Sequence, residues 1–132
     1  MTEKELNQLF YLNKEYERIQ KDILNKKQKL GYKSPRITDM PRSGEARNYA
    51  DDIAEMVDLE AYQNINLRQI QRERARLEEY IGSIEDAEMR LIFRLRCVNC
   101  MDWHEIGAEL HLERTTVAKK YRKYINLSHN SR

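Results

Sequence analysis

The C-terminal part of the chain carries cationic and short polar side chains at helical spacing. Apolar residues at Val117, Tyr121, Tyr124 and Ile125 fall on one side of a helix. The other side then presents Arg114, Thr115, Thr116, Lys119, Lys120 and Lys123. Guanidinium and ammonium groups bind phosphate oxygens, and hydroxyl and guanidinium groups hydrogen-bond to base edges. The pattern therefore predicts a surface that contacts nucleic acid.

Some of these residues also have structural interpretations. Thr115 lies near the predicted helix start, where a threonine side chain can cap free backbone N–H groups. Trp103 and Tyr121 could stack on unpaired bases, but their inward helical positions favour core packing.

A second set of residues has the side-chain types of a zinc site. Cys97 and Cys100, followed by His104 and His111, offer two thiols and two imidazoles. These ligands would span a helix end, a turn and a helix with packing positions of their own. The spacing therefore favours a half-buried Cys97 and a turn residue at Cys100 over a metal. The sequence has no glycine-rich phosphate loop or nucleophile elbow, so we expect no catalytic residue and no cofactor.

Capping residues and a turn predict where the helices before the cationic segment begin and end. Asp102 is a predicted N-cap with Glu105 at capping-box spacing, so a helix is expected over Trp103–Leu110. A turn at His111 and Leu112 leads into the cationic helix, and Gly107 leaves room for a close crossing. An earlier helix, about 86–97 with Asp86 as N-cap, completes a three-helix unit over 85–126, with a core built around Trp103 and a flexible tail over 127–132.

The preceding half of the chain has coiled-coil periodicity. One helix is expected over about 2–30 and another over about 44–84, joined by a proline-containing loop over 31–43. A second apolar row, at Ile53, Val57, Ala61 and Ile65, suggests that the later helix contacts more than one other helix. Residues 1–84 therefore form a helical hairpin or oligomerisation arm. An intramolecular hairpin and an intermolecular bundle both fit the pattern.

Composition and charge agree with the predicted helices. Only four glycines and two prolines occur among 132 residues, which predicts an all-α protein. No segment is apolar enough for a membrane span or signal peptide, so a cytoplasmic protein is expected. Net charge is +2, yet residues 114–132 contain six Lys and Arg and no Asp or Glu. Lys33, Arg36 and Arg42 are candidate auxiliary phosphate contacts, and the alternative is a solvated hinge.

The run from Met89 to Ile125 resembles region 4 of bacterial sigma-70 factors, through Glu105-Ile106 and Leu110 of a W-x-E-I-A-x-x-L pattern. Gly107 replaces the usual alanine of that pattern. Met40-Pro41-Arg42 and Asp58-Leu59-Glu60 are similar to motifs of small sigma-like proteins of Gram-positive temperate phages. That group includes late transcriptional regulators of the ArpU type.

This resemblance implies a phage or prophage transcriptional regulator. Its sigma region 4-like helix-turn-helix would read duplex DNA in the major groove, with contact to host RNA polymerase. Since no region for the −10 promoter element is present, a stand-alone sigma factor is not expected. Helix-turn-helix proteins often bind two half-sites, which favours a homodimer.

Two other functions fit the same features. A small terminase subunit also combines a helix-turn-helix with a helical arm, but it would bind a packaging site as a ring. A helical adaptor would bind RNA polymerase without contacting DNA. Assembly state separates the first from a regulator, and salt-dependent DNA binding separates the second.

Overall fold

The computed structural model describes residues 1–32 and 43–130, and their side chains over 1–31 and 49–128. The regular elements in these ranges are all helical: α1 (Glu3–Leu6), α2 (Gln8–Tyr32), α3 (Ser43–Gly82), α4 (Ala87–Phe93), a π-helical turn (Arg94–Val98), α5 (Trp103–Leu110) and α6 (Arg114–Asn130). The predicted all-α class is confirmed. None of the described helices is both long and apolar enough to cross a membrane. The chain forms two compact units, residues 1–13 with 70–132, and residues 14–69.

The single N-terminal helix predicted over 2–30 is interrupted near its start. Thr2 caps α1 through a capping box with Glu5, and Asn7 ends α1. The Asn7 carbonyl accepts from the Tyr11 N–H at 3.4 Å, so the helical direction continues into α2. The interruption leaves Leu6 and Leu9 fully buried in the unit that contains α4, α5 and α6.

Helices α2 and α3 pair antiparallel within the unit of residues 14–69. The Lys26 ammonium lies 3.4 Å from Asp52 and also contacts Glu55. At the other end of the pair, the Tyr62 hydroxyl donates to Glu15 at 3.3 Å. These contacts identify a hairpin within one chain, which the sequence pattern alone left open. Lys26 therefore lies opposite two carboxylates of α3, which accounts for a cation at this partly buried position of α2.

The predicted loop over 31–43 lies mostly outside the described residues. Gly31 and Tyr32 continue α2, and Ser43 begins α3. Residues Lys33, Arg36 and Arg42 fall outside the described part of the chain. The neighbouring Lys26 and Lys29 are not free for phosphate, because both contact Asp52.

Asn66 is an exception to the apolar packing of α3. It is 1% exposed, and neither its amide nitrogen nor its oxygen has a hydrogen-bond partner. A buried polar group without a partner reduces stability by about 1–3 kcal/mol. Buried asparagines in helix pairs are known to specify register at such a cost.

Replacing Asn66 with leucine is therefore expected to stabilise the hairpin, by about 1–2 kcal/mol. Chemical denaturation followed by circular dichroism at fixed protein concentration measures the change. The matched control is Asn25→Leu, at an exposed position of α2, because it makes the same change in helix propensity without removing a buried amide. An Asn66→Leu protein no more stable than this control would contradict the expectation.

The other unit has its core between α4, the π-helical turn, α5 and α6. Phe93 and Tyr121 are its largest buried side chains, and their ring centroids lie 4.7 Å apart. Trp103, expected at the centre, is only half-buried and packs its ring edge against Tyr121. The correction follows from helix direction: Phe93 and Tyr121 point between α4 and α6, whereas Trp103 opens α5 at the margin of this core.

Polar contacts fix the end of α3 to this core. The Arg90 guanidinium donates to the carbonyl oxygens of Ile84 and Glu85 at 2.8 and 2.9 Å. Arg94 pairs with Glu78 of α3 at 2.6 Å. Ile84 and Glu85 lie in the connection between α3 and α4, where carbonyls have no helical partners, so Arg90 satisfies acceptors that the helices leave open.

Candidate nucleic-acid interface

Helix α5 begins where the sequence predicts. The Asp102 side chain accepts from the Glu105 N–H at 2.8 Å, which confirms Asp102 as N-cap. That backbone hydrogen bond favours the charged carboxylate and lowers the pKa of Asp102. The helix runs over Trp103–Leu110, the range expected from its apolar stripe.

The turn between α5 and α6 depends on two unusual backbone positions. His111 has a left-handed conformation, with φ 56° and ψ 41°, and ends α5. The Leu112 N–H donates to the Gly107 carbonyl at 2.9 Å, which folds the turn back on α5. A Cβ atom at Gly107 would lie 2.6 Å from the Leu112 carbonyl oxygen. Only glycine fits, because two stretches of backbone approach this position: the turn at the Leu112 carbonyl, and the start of α6, whose Arg114 nitrogen would lie 3.2 Å from the added Cβ. The predicted close approach of the second helix therefore occurs at its first residue.

Helix α6 buries one side and exposes the other. Val117, Ala118, Tyr121 and Ile125 are buried, and Tyr124 packs at the margin of the same core. The exposed side presents Arg114, Thr115, Lys119, Arg122 and Lys123. Within the described part of the chain, no carboxylate pairs with the cations of this side, which we call the basic face (Arg114, Lys119, Arg122 and Lys123).

Two predicted site residues differ from the rest. Lys120 is half-buried and pairs with Glu88 of α4 at 2.6 Å, so it lies at the edge of the basic face rather than on it. Thr116 is also half-buried. Thr115 is the second residue of α6 and therefore not its N-cap, a position that Glu113 occupies. The Thr115 side chain is exposed beside Arg114.

Sequence reasoning missed Arg122. The signal was available, because Arg122 follows Thr115 and Lys119 at seven- and three-residue spacing along one stripe of the helix. The apolar neighbours Tyr121 and Tyr124 define the buried side, and Arg122 points away from both.

An open depression of about 450 Å³ adjoins the start of α6. Its lining side chains are His104, Ala108, Leu112, Glu113, Arg114 and Thr115. The helix N-terminus carries partial positive charge and free N–H groups, so this end of α6 suits an anionic surface.

Comparison of the chain with protein-family models, with curated protein sequences and with solved structures finds no match.

The cysteine and histidine residues do not converge. Cys97 is buried with its Sγ 3.5 Å from the Tyr121 hydroxyl, and burial raises the pKa of its thiol to about 11. His104 and His111 are exposed. Among the described residues, no three potential ligands lie close enough to hold a metal ion. Cys100 takes a left-handed conformation, with φ 55°, at the turn after the π-helical segment.

Arg96 makes structural contacts within its own unit. Its guanidinium lies 4.3 Å from the centroid of the Trp103 ring and donates to the Met101 carbonyl at 3.1 Å. Arg96 therefore supports the segment before α5 and is not part of the basic face.

Proposed function

We propose that this chain binds duplex DNA with α6 in the major groove and acts as a transcriptional regulator of a phage or prophage, as its resemblance to ArpU-type proteins suggests. The observation that carries the proposal is the division of α6 into a buried apolar side and an exposed basic face without paired carboxylates. A major groove admits one α-helix, and side chains of its first turns reach base edges. Arg114 and Thr115 occupy that turn.

The later cations of α6 are suited to the phosphate backbone. Lys119, Arg122 and Lys123 continue the basic face toward the C-terminal end of the helix, where a helix lying in the groove passes the phosphates. Host RNA polymerase is a second proposed partner, through an acidic surface at the start of α4 that the exposed Glu85, Asp86 and Glu88 form. Glu88 also holds Lys120, so this surface and the basic face adjoin.

Lys119→Ala is expected to weaken binding to any duplex and to reduce the slope of log affinity against log salt concentration by about 0.9, the value of one lost phosphate contact. Lys120→Ala is expected to have a smaller effect, because Lys120 must leave Glu88 to reach a phosphate. Fluorescence anisotropy with a mixed-sequence duplex, between about 50 and 200 mM salt, measures both quantities.

Lys21→Ala is the matched control, since Lys21 is an exposed cation on α2. Equal affinities for all three variants and the unaltered protein would overturn the proposed site. The absence of salt-dependent duplex binding by the unaltered protein would overturn the DNA-binding function itself and leave an adaptor that binds only protein.

A further inference from the structure

An apolar row on α3 is exposed along one side of the helix. Tyr49, Ile53, Val57 and Ile65 are 40%, 36%, 54% and 54% exposed, and Ala61 completes their four-residue spacing. Asn66, which is buried, follows Val57 by nine residues, or about 2.5 helical turns. Val57 therefore lies on the opposite side of α3 from Asn66. The row therefore faces away from the side of α3 that is buried in the hairpin.

Such a row differs from scattered surface residues. Single exposed aliphatic side chains are ordinary, but a contiguous apolar strip marks a surface that another molecule covers. The residues also form one i±4 ridge, the kind that interdigitates with a ridge of the same kind on another helix at about −50°. A ridge of this kind is compatible with a copy of itself.

Charged residues beside the row indicate which molecule covers it and in which orientation that molecule lies. Asp51 and Asp58 are exposed near the N-terminal half of the row, and Arg68 is exposed past its C-terminal end. A second α3 in antiparallel orientation places Asp51 beside Arg68 of the partner subunit, and two-fold symmetry repeats the pair. A parallel arrangement would place Asp51, Asp58 and Arg68 each beside its own copy, whereas the antiparallel one brings only Asp58 near its copy, at the two-fold axis.

We propose that a second copy of this chain packs antiparallel on the row Tyr49, Ile53, Val57, Ala61 and Ile65, with Asp51 and Arg68 paired across the interface. The small Ala61 lies near the centre and lets the two helices approach closely. This self-association does not depend on the DNA role. If the proposed function also holds, the dimer carries two basic faces, one from each copy, which suits a DNA site with two half-sites.

Sedimentation of the full chain over a range of concentrations, without DNA, tests the interface. The unaltered protein is expected to form a dimer, and Val57→Glu is expected to weaken the association at least about tenfold, because the new carboxylate would be buried without a partner. Gln28→Glu adds the same charge at an exposed position of α2 and is expected to leave the dimer intact. Circular dichroism checks that both variants keep their helices.

A charge exchange tests the orientation. Asp51→Arg and Arg68→Asp are each expected to weaken the dimer, and the double variant is expected to restore it, because it rebuilds the opposite-charge pair in reverse. A monomer at all concentrations, an association indifferent to Val57→Glu, or a double variant weaker than both single ones would overturn the antiparallel interface. Since DNA is absent, each of these results leaves the DNA-binding proposal standing.

Discussion

Phe93→Ala is expected to lower the free energy of unfolding of the unit formed by residues 1–13 and 70–132 by about 3–5 kcal/mol. Phe93 is fully buried, and its ring contacts those of Tyr80, Tyr121 and Tyr124 at centroid distances of 6.0, 4.7 and 5.4 Å. Removing this ring leaves a cavity at the point where α3, α4 and α6 meet. Because the surrounding rings are rigid, they cannot collapse to fill it.

The fluorescence of Trp103, the single tryptophan of the chain, reports on this unit through its contact with Tyr121. Denaturant titrations of the unaltered protein and the Phe93→Ala variant give the difference. Phe10→Ala serves as the matched control, because the Phe10 ring is 39% exposed and its loss creates no enclosed cavity. Similar losses in the two variants would mean that Phe93 is not central to the core.

Gly107→Ala is expected to destabilise the same unit by about 3 kcal/mol and to impair duplex binding. The added Cβ would lie 2.6 Å from the Leu112 carbonyl oxygen and 3.2 Å from the Arg114 nitrogen. Neither atom belongs to a flexible side chain. The turn must move, and with it the start of α6 that carries Arg114 and Thr115.

Gly82→Ala is the matched control, because nothing lies within 4 Å of the position of its added Cβ. That variant is expected to be as stable as the unaltered protein or slightly more so. Denaturation followed by Trp103 fluorescence and duplex anisotropy together separate loss of fold from loss of contact. A Gly107→Ala protein with unaltered stability would show that the turn can move away from α5 at little cost.

The two variants test different parts of one arrangement. Phe93 packs against the buried side of α6, whereas Gly107 permits the turn that precedes α6. If both variants stay folded but lose duplex binding, the position of the basic face matters in addition to its charge.

Local signals in the sequence predicted the C-terminal helices accurately. Asp86 and Asp102 begin α4 and α5 as N-caps, and the bend at His111 precedes α6. A cap is a contact between residues two or three positions apart, so sequence spacing alone specifies it. The buried and exposed sides of α6 also followed from spacing, because a helix repeats every 3.6 residues whatever it packs against.

Contacts between distant residues were beyond the reach of spacing. The pairing of Lys120 with Glu88 joins positions 32 residues apart, and it distinguishes Lys120 from the neighbouring Lys119. The π-helical turn at Arg94–Val98 and the interruption at Asn7 are local in extent, and the residues in or beside them belong to the core. The predicted tail over 127–132 had no apolar pattern, yet α6 continues to Asn130.

The amino-acid sequence by itself determined that this protein is helical, where its C-terminal helices begin, and that the last of them carries Lys and Arg without Asp or Glu, because caps, periodicity and charge are properties of neighbouring residues. The tertiary structure alone decided that α2 folds back on α3, that Phe93 and Tyr121 rather than Trp103 fill the core, and which cations remain unpaired. Those outcomes depend on which distant side chains meet, and a pattern of neighbours does not contain that information.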